Sequence, residues 1–179
     1  MEDERMKEVY FKGLIIADLQ NHTARVQSFE KGLNVVTSAD NHVGKSSLLK
    51  SLYYTLGAEV DFDSVWDRQS KLYIATISVD ELEYRVIRFL KRFAVFKDNI
   101  LLKITESVSK ELAPLLGEIF DFAVYLPNKG TGKVEMAPPA FILCHTILIR
   151  IRAGVAYMKV LHQSLSIRVQ TVSSRYTIT

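Results

Sequence analysis

A strand, a polar loop and a helix follow one another between residues 33 and 57, and this succession constrains the fold more than any other part of the chain. The apolar run LNVVT is typical of a buried strand. The helix opens with Gly44-Lys45-Ser46-Ser47, carries leucines at positions 48, 49, 52 and 56, and has Gly57 as its C-terminal stop. This order of elements predicts an α/β fold.

The loop and the helix start have the composition of a phosphate-binding site. Backbone N–H groups at a helix N-terminus are not used by the helix itself, and the helix dipole favours an anion there. In this pattern Gly44 allows close backbone approach, Lys45 reaches the β- and γ-phosphates, and the Ser46 hydroxyl ligates Mg²⁺. A chance Gly-Lys-Ser at a helix start is the alternative, which the agreement of strand, loop and helix disfavours. Ala39 stands where the standard loop has its first glycine.

Further strands and one further helix are predicted on both sides of this segment. Strands are expected at residues 9–18 and 23–29, and again after residue 70, where the apolar residues alternate as in an antiparallel meander. Asp80-Glu81 and residues 97–99 are expected to form turns of that meander. A helix is expected at residues 110–122, with Pro114 near its start, followed by a short strand at 123–126 and a loop at 127–133.

Cysteine usage and the N-terminus indicate where such a chain works. Cys144 is the only cysteine, so an intrachain disulfide is impossible and a reducing compartment is favoured. The N-terminal MEDERMKE is charged and does not have the form of a signal peptide. The longest apolar run, near residues 138–149, is too short to span a bilayer. We therefore expect a cytoplasmic location and no membrane partner, while the net charge of +3 permits but does not argue for contact with nucleic acid.

Residues 32–58, GLNVVTSADNHVGKSSLLKSLYYTLGA, resemble the N-terminal lobe of an SMC-, SbcC- or RecF-type ATPase head, which is ABC-like. That lobe has two strands, a "GLN-V-V" strand, the phosphate loop, a helix ending in "LG" and an antiparallel meander. Tyr84-x-Val86-x-Arg88 is similar to its "y-x-v-x-R" strand. The resemblance covers roughly residues 8–126 and implies a P-loop NTPase half-domain, that is, an α/β fold with a mixed sheet, an antiparallel β-meander and a Walker A helix.

The resemblance also implies ligands and partners. ATP and Mg²⁺ are the expected cofactors, Ser46 is the expected Mg²⁺ ligand, and Asn41 lies at the family's loop asparagine. The implied nucleotide-binding residues are Ala39, Asp40, Asn41, His42, Val43, Gly44, Lys45, Ser46 and Ser47. Intact members act in DNA repair, chromosome maintenance or phage defence, with DNA and a second head as partners. The family's signature motif, Walker B pair and switch histidine lie in a C-terminal lobe and have no counterpart in these residues, so the chain alone is expected to bind ATP without hydrolysing it and to have no catalytic residue of its own.

The last 44 residues differ in composition from the rest of the chain. All 20 acidic residues lie at or before Glu135, whereas the remainder holds five Lys or Arg and two His. Codons for residues 141–154, shifted by one base, permit the string YFLPYYIDQDKGW, which resembles the aromatic stretch containing the Q-loop glutamine of related ATPases. We therefore divide the chain into an ATPase lobe at 1–141 and an atypical tail at 142–179, which is hypothesised to be out of frame. A natural basic extension is the alternative.

Two other functions stay open at this point. A small stand-alone P-loop kinase or GTPase would need a carboxylate after a core strand, but the strand at 123–126 is followed by Pro127. A noncatalytic DNA-binding module is indicated only by the basic tail and by basic residues at positions 25, 31, 91, 92 and 97, which are more often isolated surface charges than a binding stripe. Asp61, Asp63 and Asp67 have no recognised metal-ligand spacing and are interpreted as a solvated loop.

Overall fold

The computed structural model describes residues 7–37, 44–121, 125–127, 130, 132, 134–136, 147–152, 155–160, 167–171 and 176–177. Within these ranges the chain forms strands, two α-helices and one π-helical segment. Their bounds are β1 Val9–Asp18, β2 Thr23–Ser28, β3 Leu33–Thr37, α1 Lys45–Thr55, β4 Lys71–Val79, β5 Leu82–Phe89, β6 Arg92–Lys97, β7 Ile100–Thr105, the π-helical segment Val108–Leu112, α2 Ala113–Phe120, β8 Tyr125–Pro127, β9 Val134–Met136, β10 Ile147–Arg152, β11 Val155–Val160, β12 Ile167–Thr171 and β13 Tyr176–Thr177.

The described strands form a mostly antiparallel α/β arrangement. The largest sheet has the order β13-β2-β1-β4-β5-β6-β7, and every pairing in it is antiparallel. A second sheet has the order β10-β11-β3-β12, in which β3 pairs antiparallel with β11 and parallel with β12. The predicted antiparallel meander lies in the large sheet, and among the described strands the parallel pairing that makes a sheet mixed is confined to β3 and β12 of the second sheet.

The meander from β4 to β7 confirms the predicted alternation and its turns. Tyr73, Ala75, Ile77 and Val79 all face the interior and are at most 3% exposed. The expected turns at Asp80-Glu81 and at Asp98-Asn99 have positive φ at both residues, as two-residue hairpin turns of type I′ require. The hairpin between β5 and β6 turns at Leu90, which also has a positive φ and which carried no turn signal in the sequence.

The hydrophobic core lies between the large sheet and helix α1. The three leucines of α1 and its C-cap Leu56 are at most 2% exposed and pack with inward-facing residues of β1, β4 and β5. Ser51 and Thr55 lie on the same buried side, and each hydroxyl donates to the carbonyl oxygen four residues earlier, at 2.6 and 2.7 Å. These bonds satisfy the buried hydroxyl groups within the helix itself, so that the polar residues do not prevent α1 from packing on the sheet.

Gly57 ends helix α1 as the sequence predicts. It has a φ of +92°, and its N–H donates to Tyr54 O at 3.1 Å while the N–H of Ala58 donates to Tyr53 O at 3.1 Å. This pair of hydrogen bonds is the Schellman motif, which favours glycine because a side chain strains the left-handed backbone. A Cβ at Gly57 would also lie 2.9 Å from Cγ1 of Val108, so the π-helical segment packs directly on this turn.

The second helix differs from the prediction at both ends. The backbone enters it through a π-helical segment, in which the N–H of Leu112 donates to Ser107 O at 3.0 Å. Pro114 lies near the start of α2, where its missing N–H is tolerated. The helix ends at Phe120 and not at residue 122, because Asp121 adopts the left-handed conformation with a φ of 54°.

The segment after α2 is described in part. The strand predicted at 123–126 is found at Tyr125–Pro127 and pairs antiparallel with Val134–Met136, so it belongs to a hairpin around the predicted loop. In the tail, β11 and β12 pair with the two edges of β3, and β13 pairs with β2. The domain boundary at residue 141 and the out-of-frame origin of residues 142–179 stay predictions, and Cys144 lies outside the described residues.

Candidate functional site

The predicted nucleotide-binding residues fall into two groups. Ala39, Asp40, Asn41, His42 and Val43 lie outside the described residues. Gly44, Lys45, Ser46 and Ser47 are described, and they stand together at the N-terminal end of α1, which begins at Lys45. The site can therefore be built from the helix start and from what surrounds it.

Gly44 is the N-cap of helix α1. It has a left-handed backbone, with φ 69° and ψ 18°, and its carbonyl oxygen accepts the first helical hydrogen bond from the N–H of Leu48 at 2.9 Å. Glycine adopts this conformation without the steric cost that a Cβ imposes. The N–H groups of the first helical turn are consequently not required by the hydrogen-bond ladder of the helix.

The side chains that follow Gly44 differ in exposure. Lys45 is 5% exposed, whereas Ser46 is only partly buried. Ser47 is 5% exposed, and its carbonyl oxygen is the acceptor for the Ser51 hydroxyl described above. The lysine aliphatic chain is thus packed into the protein at the helix start, and Ser46 is the hydroxyl of this group that is more accessible.

An arginine approaches the same helix end from β2. A Cβ added to Gly44 would lie 3.8 Å from Nη1 of Arg25, and the Nη2 atom of Arg25 is shielded from solvent. Arg25 and Lys45 each also interact with other groups of the chain. The sequence had suggested Arg25 only as one of several scattered basic residues, because its nearness to Gly44 depends on the packing of β2 against the start of α1.

This local arrangement fits an anion. Two basic side chains belong to the group at the helix start, Gly44 carries no side chain there, and the positive end of the helix dipole lies at the same point. The partly buried Ser46 provides a hydroxyl of the type that ligates Mg²⁺ beside a bound polyphosphate. The described residues are therefore chemically compatible with a nucleotide phosphate group.

Several other polar and charged residues are exposed or form ion pairs at the surface. Asp61, Asp63 and Asp67 are exposed; Asp63 lies 3.8 Å from Lys50 Nζ, and Asp67 accepts a 2.9 Å hydrogen bond from the N–H of Gln69. His22 is exposed in the turn between β1 and β2. Among the basic residues considered for DNA, Lys31 pairs with Glu8, and Arg92 pairs with Glu106 at 2.8 Å. Apart from Arg25, these groups contribute to loops and surface ion pairs.

Arg88, which the sequence singled out only through the family's strand pattern, has a structural role in the core. It is 3% exposed, and its Nη1 donates to the carbonyl oxygens of Tyr54 at 2.6 Å and Ala58 at 3.3 Å. Its guanidinium carbon lies 3.5 Å from the centre of the Tyr54 ring. Arg88 therefore fastens the C-terminal end of α1 to β5, at the end of the helix opposite Gly44. The available signal was its place in register with the buried Tyr84 and Val86.

Comparison with known proteins gives a partial relationship. No protein-family model matches the chain. It is 38% identical over 136 residues to Lamassu protein LmuB of Bacillus cereus (strain VD014), and these residues are 76% of this chain and 24% of that protein. It is 35% identical over 92 residues to Lamassu protein LmuB of Bacillus sp. (strain NCIM 5461 / CCTCC AB 2011126 / NIO-1130), covering 51% of this chain and 16% of that protein. The chain thus matches about a quarter or less of the length of these relatives.

The expectation that the chain has no membrane partner can be compared only with the described helices. In the described parts of the chain, neither helix has the length and apolarity needed to cross a membrane.

Proposed function

We propose that this chain is the ATP-binding N-terminal part of an SMC-like ATPase head that serves in phage defence. The observation that carries the proposal is that α1 begins directly at Lys45 of a Gly-Lys-Ser-Ser sequence, after a glycine in the left-handed conformation. Among the three roles that the family resemblance implies, the similarity to Lamassu protein LmuB favours phage defence. DNA repair and chromosome maintenance are the less favoured alternatives.

In this proposal the helix start is the Walker A helix of a P-loop NTPase half-domain. The backbone N–H groups of the first turn and the Lys45 ammonium hold the β- and γ-phosphates of ATP, and the Ser46 hydroxyl is a ligand of Mg²⁺. Residues 39–43, which precede Gly44 in the sequence, are assigned to the same nucleotide site by the resemblance. Supporting evidence comes from the strand β3 that leads into the loop, from the buried leucines that fix α1 to the sheet, and from the charge at the helix start.

Hydrolysis is a property that we assign to the whole protein. Water positioning and charge stabilisation in phosphoryl transfer need groups beyond the phosphate cradle. We propose that a C-terminal lobe and a second head supply them, and that DNA contacts the assembled heads. This part of the proposal rests on the resemblance and concerns residues outside the present chain.

Calorimetric titration of the chain with Mg·ATP tests the proposal. We expect Lys45→Ala to weaken binding by roughly 10- to 100-fold, since a hydrogen bond to a charged group contributes about 1.5–3 kcal/mol. Lys50→Ala is the matched control, because Lys50 is a lysine of the same helix that lies near Asp63 and away from Gly44. Equal affinity in the unmodified chain and in Lys45→Ala would refute the assignment of the site.

A further inference from the structure

Arg25 projects from the inward face of a strand, which is unusual for a charged residue. Side chains on β2 alternate between the two faces of the sheet: Val26 is 47% exposed, whereas Gln27 is 9% exposed. Arg25 is two residues from Gln27 and therefore lies on the same inward face. Charged side chains on such a face need a specific partner or a specific task.

The position of Arg25 is fixed by the backbone and not by a loop. Strand β2 is paired with β1 along its whole length, with Arg25 opposite Ile16. This places Nη1 of Arg25 3.8 Å from the position of a Cβ on Gly44, at the N-terminal end of α1. The strand fixes the backbone of Arg25, and its Nη2 atom is shielded from solvent, so the guanidinium loses less conformational freedom when a ligand arrives than an exposed arginine would.

We propose that Arg25 is a second phosphate-binding cation of the nucleotide site and works together with Lys45 and the N–H groups of the first helical turn. The inference rests on the proposed function and adds to it a residue on an element outside the loop and the helix. A guanidinium presents two parallel N–H donors that match the geometry of phosphate oxygens. Gly44 keeps the space between the helix backbone and this guanidinium clear of a side chain, so one phosphate group can contact both.

The competing explanation is that Arg25 only stabilises the fold, since it also interacts with other groups of the chain. The two explanations differ in what happens when the charge is removed. A structural role changes the stability of the chain and leaves the affinity of the folded protein for phosphate unaltered. A phosphate-binding role changes the affinity for any polyphosphate, with or without the adenosine moiety.

The test uses the full chain and calorimetric titration with Mg·ATP and, separately, with tripolyphosphate. The variants are Arg25→Gln and the conservative Arg25→Lys, with melting curves recorded for both. Arg92→Gln is the matched control, because Arg92 lies in the same sheet on β6 and is paired with Glu106 at the surface. Arg25→Lys keeps the charge and loses the paired donors, so it reports on the site even where Arg25→Gln does not fold.

We expect Arg25→Gln to weaken binding of ATP and of tripolyphosphate alike by roughly 10-fold or more, Arg25→Lys by less, and Arg92→Gln not at all. Unaltered affinity in Arg25→Gln overturns the inference, and if Arg25→Gln is unfolded, unaltered affinity in Arg25→Lys does so. The proposed function still stands in either case if Lys45→Ala loses binding. A loss for ATP without a loss for tripolyphosphate also overturns it. Absence of binding to the unmodified chain overturns the proposed function and this inference with it.

Discussion

Replacing Arg88 is expected to destabilise the chain more than replacing any exposed arginine on the same sheet. Its guanidinium donates to Tyr54 O at 2.6 Å, Ala58 O at 3.3 Å and Leu90 O at 3.1 Å, and to the Glu59 carboxylate at 2.9 Å. The guanidinium carbon also lies near two aromatic rings, at 3.5 Å from the Tyr54 centroid and 4.8 Å from the Phe93 centroid. The Arg88 guanidinium thus both donates hydrogen bonds to the turn that ends α1 and packs in the core.

The magnitude follows from what stays behind in Arg88→Met. The substituted side chain fills much of the volume but donates no hydrogen bond, so the carbonyl oxygens of Tyr54 and Ala58 lose a buried donor. A hydrogen bond from a charged donor contributes about 1.5–3 kcal/mol, and two such bonds to buried acceptors are lost, although Tyr54 O keeps the N–H of Gly57 as a donor. Glu59 adds little to this sum, because its side chain is 73% exposed and solvent replaces the arginine. We therefore expect Arg88→Met to lower the free energy of unfolding by about 3–5 kcal/mol.

Urea unfolding followed by tryptophan fluorescence measures this loss, since Trp66 packs on Phe62 and donates a hydrogen bond to Tyr73 in the same core. The control is Arg85→Met, which changes an arginine on the opposite face of β5 whose contacts are with Asn99 and Glu83 at the surface. A surface pair of this kind contributes about 0–1 kcal/mol. A loss in Arg88→Met no larger than that in Arg85→Met would refute the reasoning.

Two further predictions concern a carboxylate and a glycine. Partial burial raises the pKa of Asp18, but hydrogen bonds from Asn21 and Lys71 outweigh it and lower the pKa from 3.8 to about 2. Asp18 therefore contributes about 2 kcal/mol of stability above pH 4, which is lost as the pH falls from about 4 to about 2. The urea midpoint should accordingly depend less on pH across this range in Asp18→Asn than in the unmodified chain. Gly57→Ala should lower the free energy of unfolding by about 2–4 kcal/mol, because the added Cβ meets Val108 on a strained backbone. Gly132→Ala is the control and should lower it by only about 1 kcal/mol, since no described atom lies within 4 Å of the added Cβ. Equal losses of stability in thermal unfolding of the two variants would contradict the clash with Val108.

Local patterns predicted the elements of this chain well because alternation and helical spacing are encoded by neighbouring residues. The strands around residue 75, the turns at Asp80 and Asp98 and the end of α1 at Gly57 follow from such patterns. The same spacing does not state which strands pair. The sequence predicted strand β3 without a pairing partner, and in the structure its described partners are β11 and β12.

The residues of the candidate site and the buried arginines differ in the same way in how far the sequence could identify them. Gly44, Lys45, Ser46 and Ser47 are contiguous, so a motif finds them. Arg25 and Arg88 instead lie beside residues 19 and 34 positions away, respectively. The sequence could show only that each carries a charge in register with buried neighbours, because the position of α1 above the sheet is a property of tertiary packing. In similar sequences, a charged residue in register with the buried face of a strand indicates a side chain with a specific partner in the interior.

The tail gives the last prediction, and the topology changes how it must be tested. Residues 136–179 contain no acidic side chain, and a segment whose composition was not selected with the rest should have weakly specified strand register. We therefore expect the amides of β10 and β11 to exchange with deuterium much faster than those of β4, which is paired on both sides within the large sheet. Strand β3 is not a valid reference, because its described hydrogen-bond partners are themselves tail strands. It should exchange quickly together with them. Protection in β11 and β3 comparable to that in β4 would mean that the tail is a stable part of the fold and that its separate origin must be abandoned.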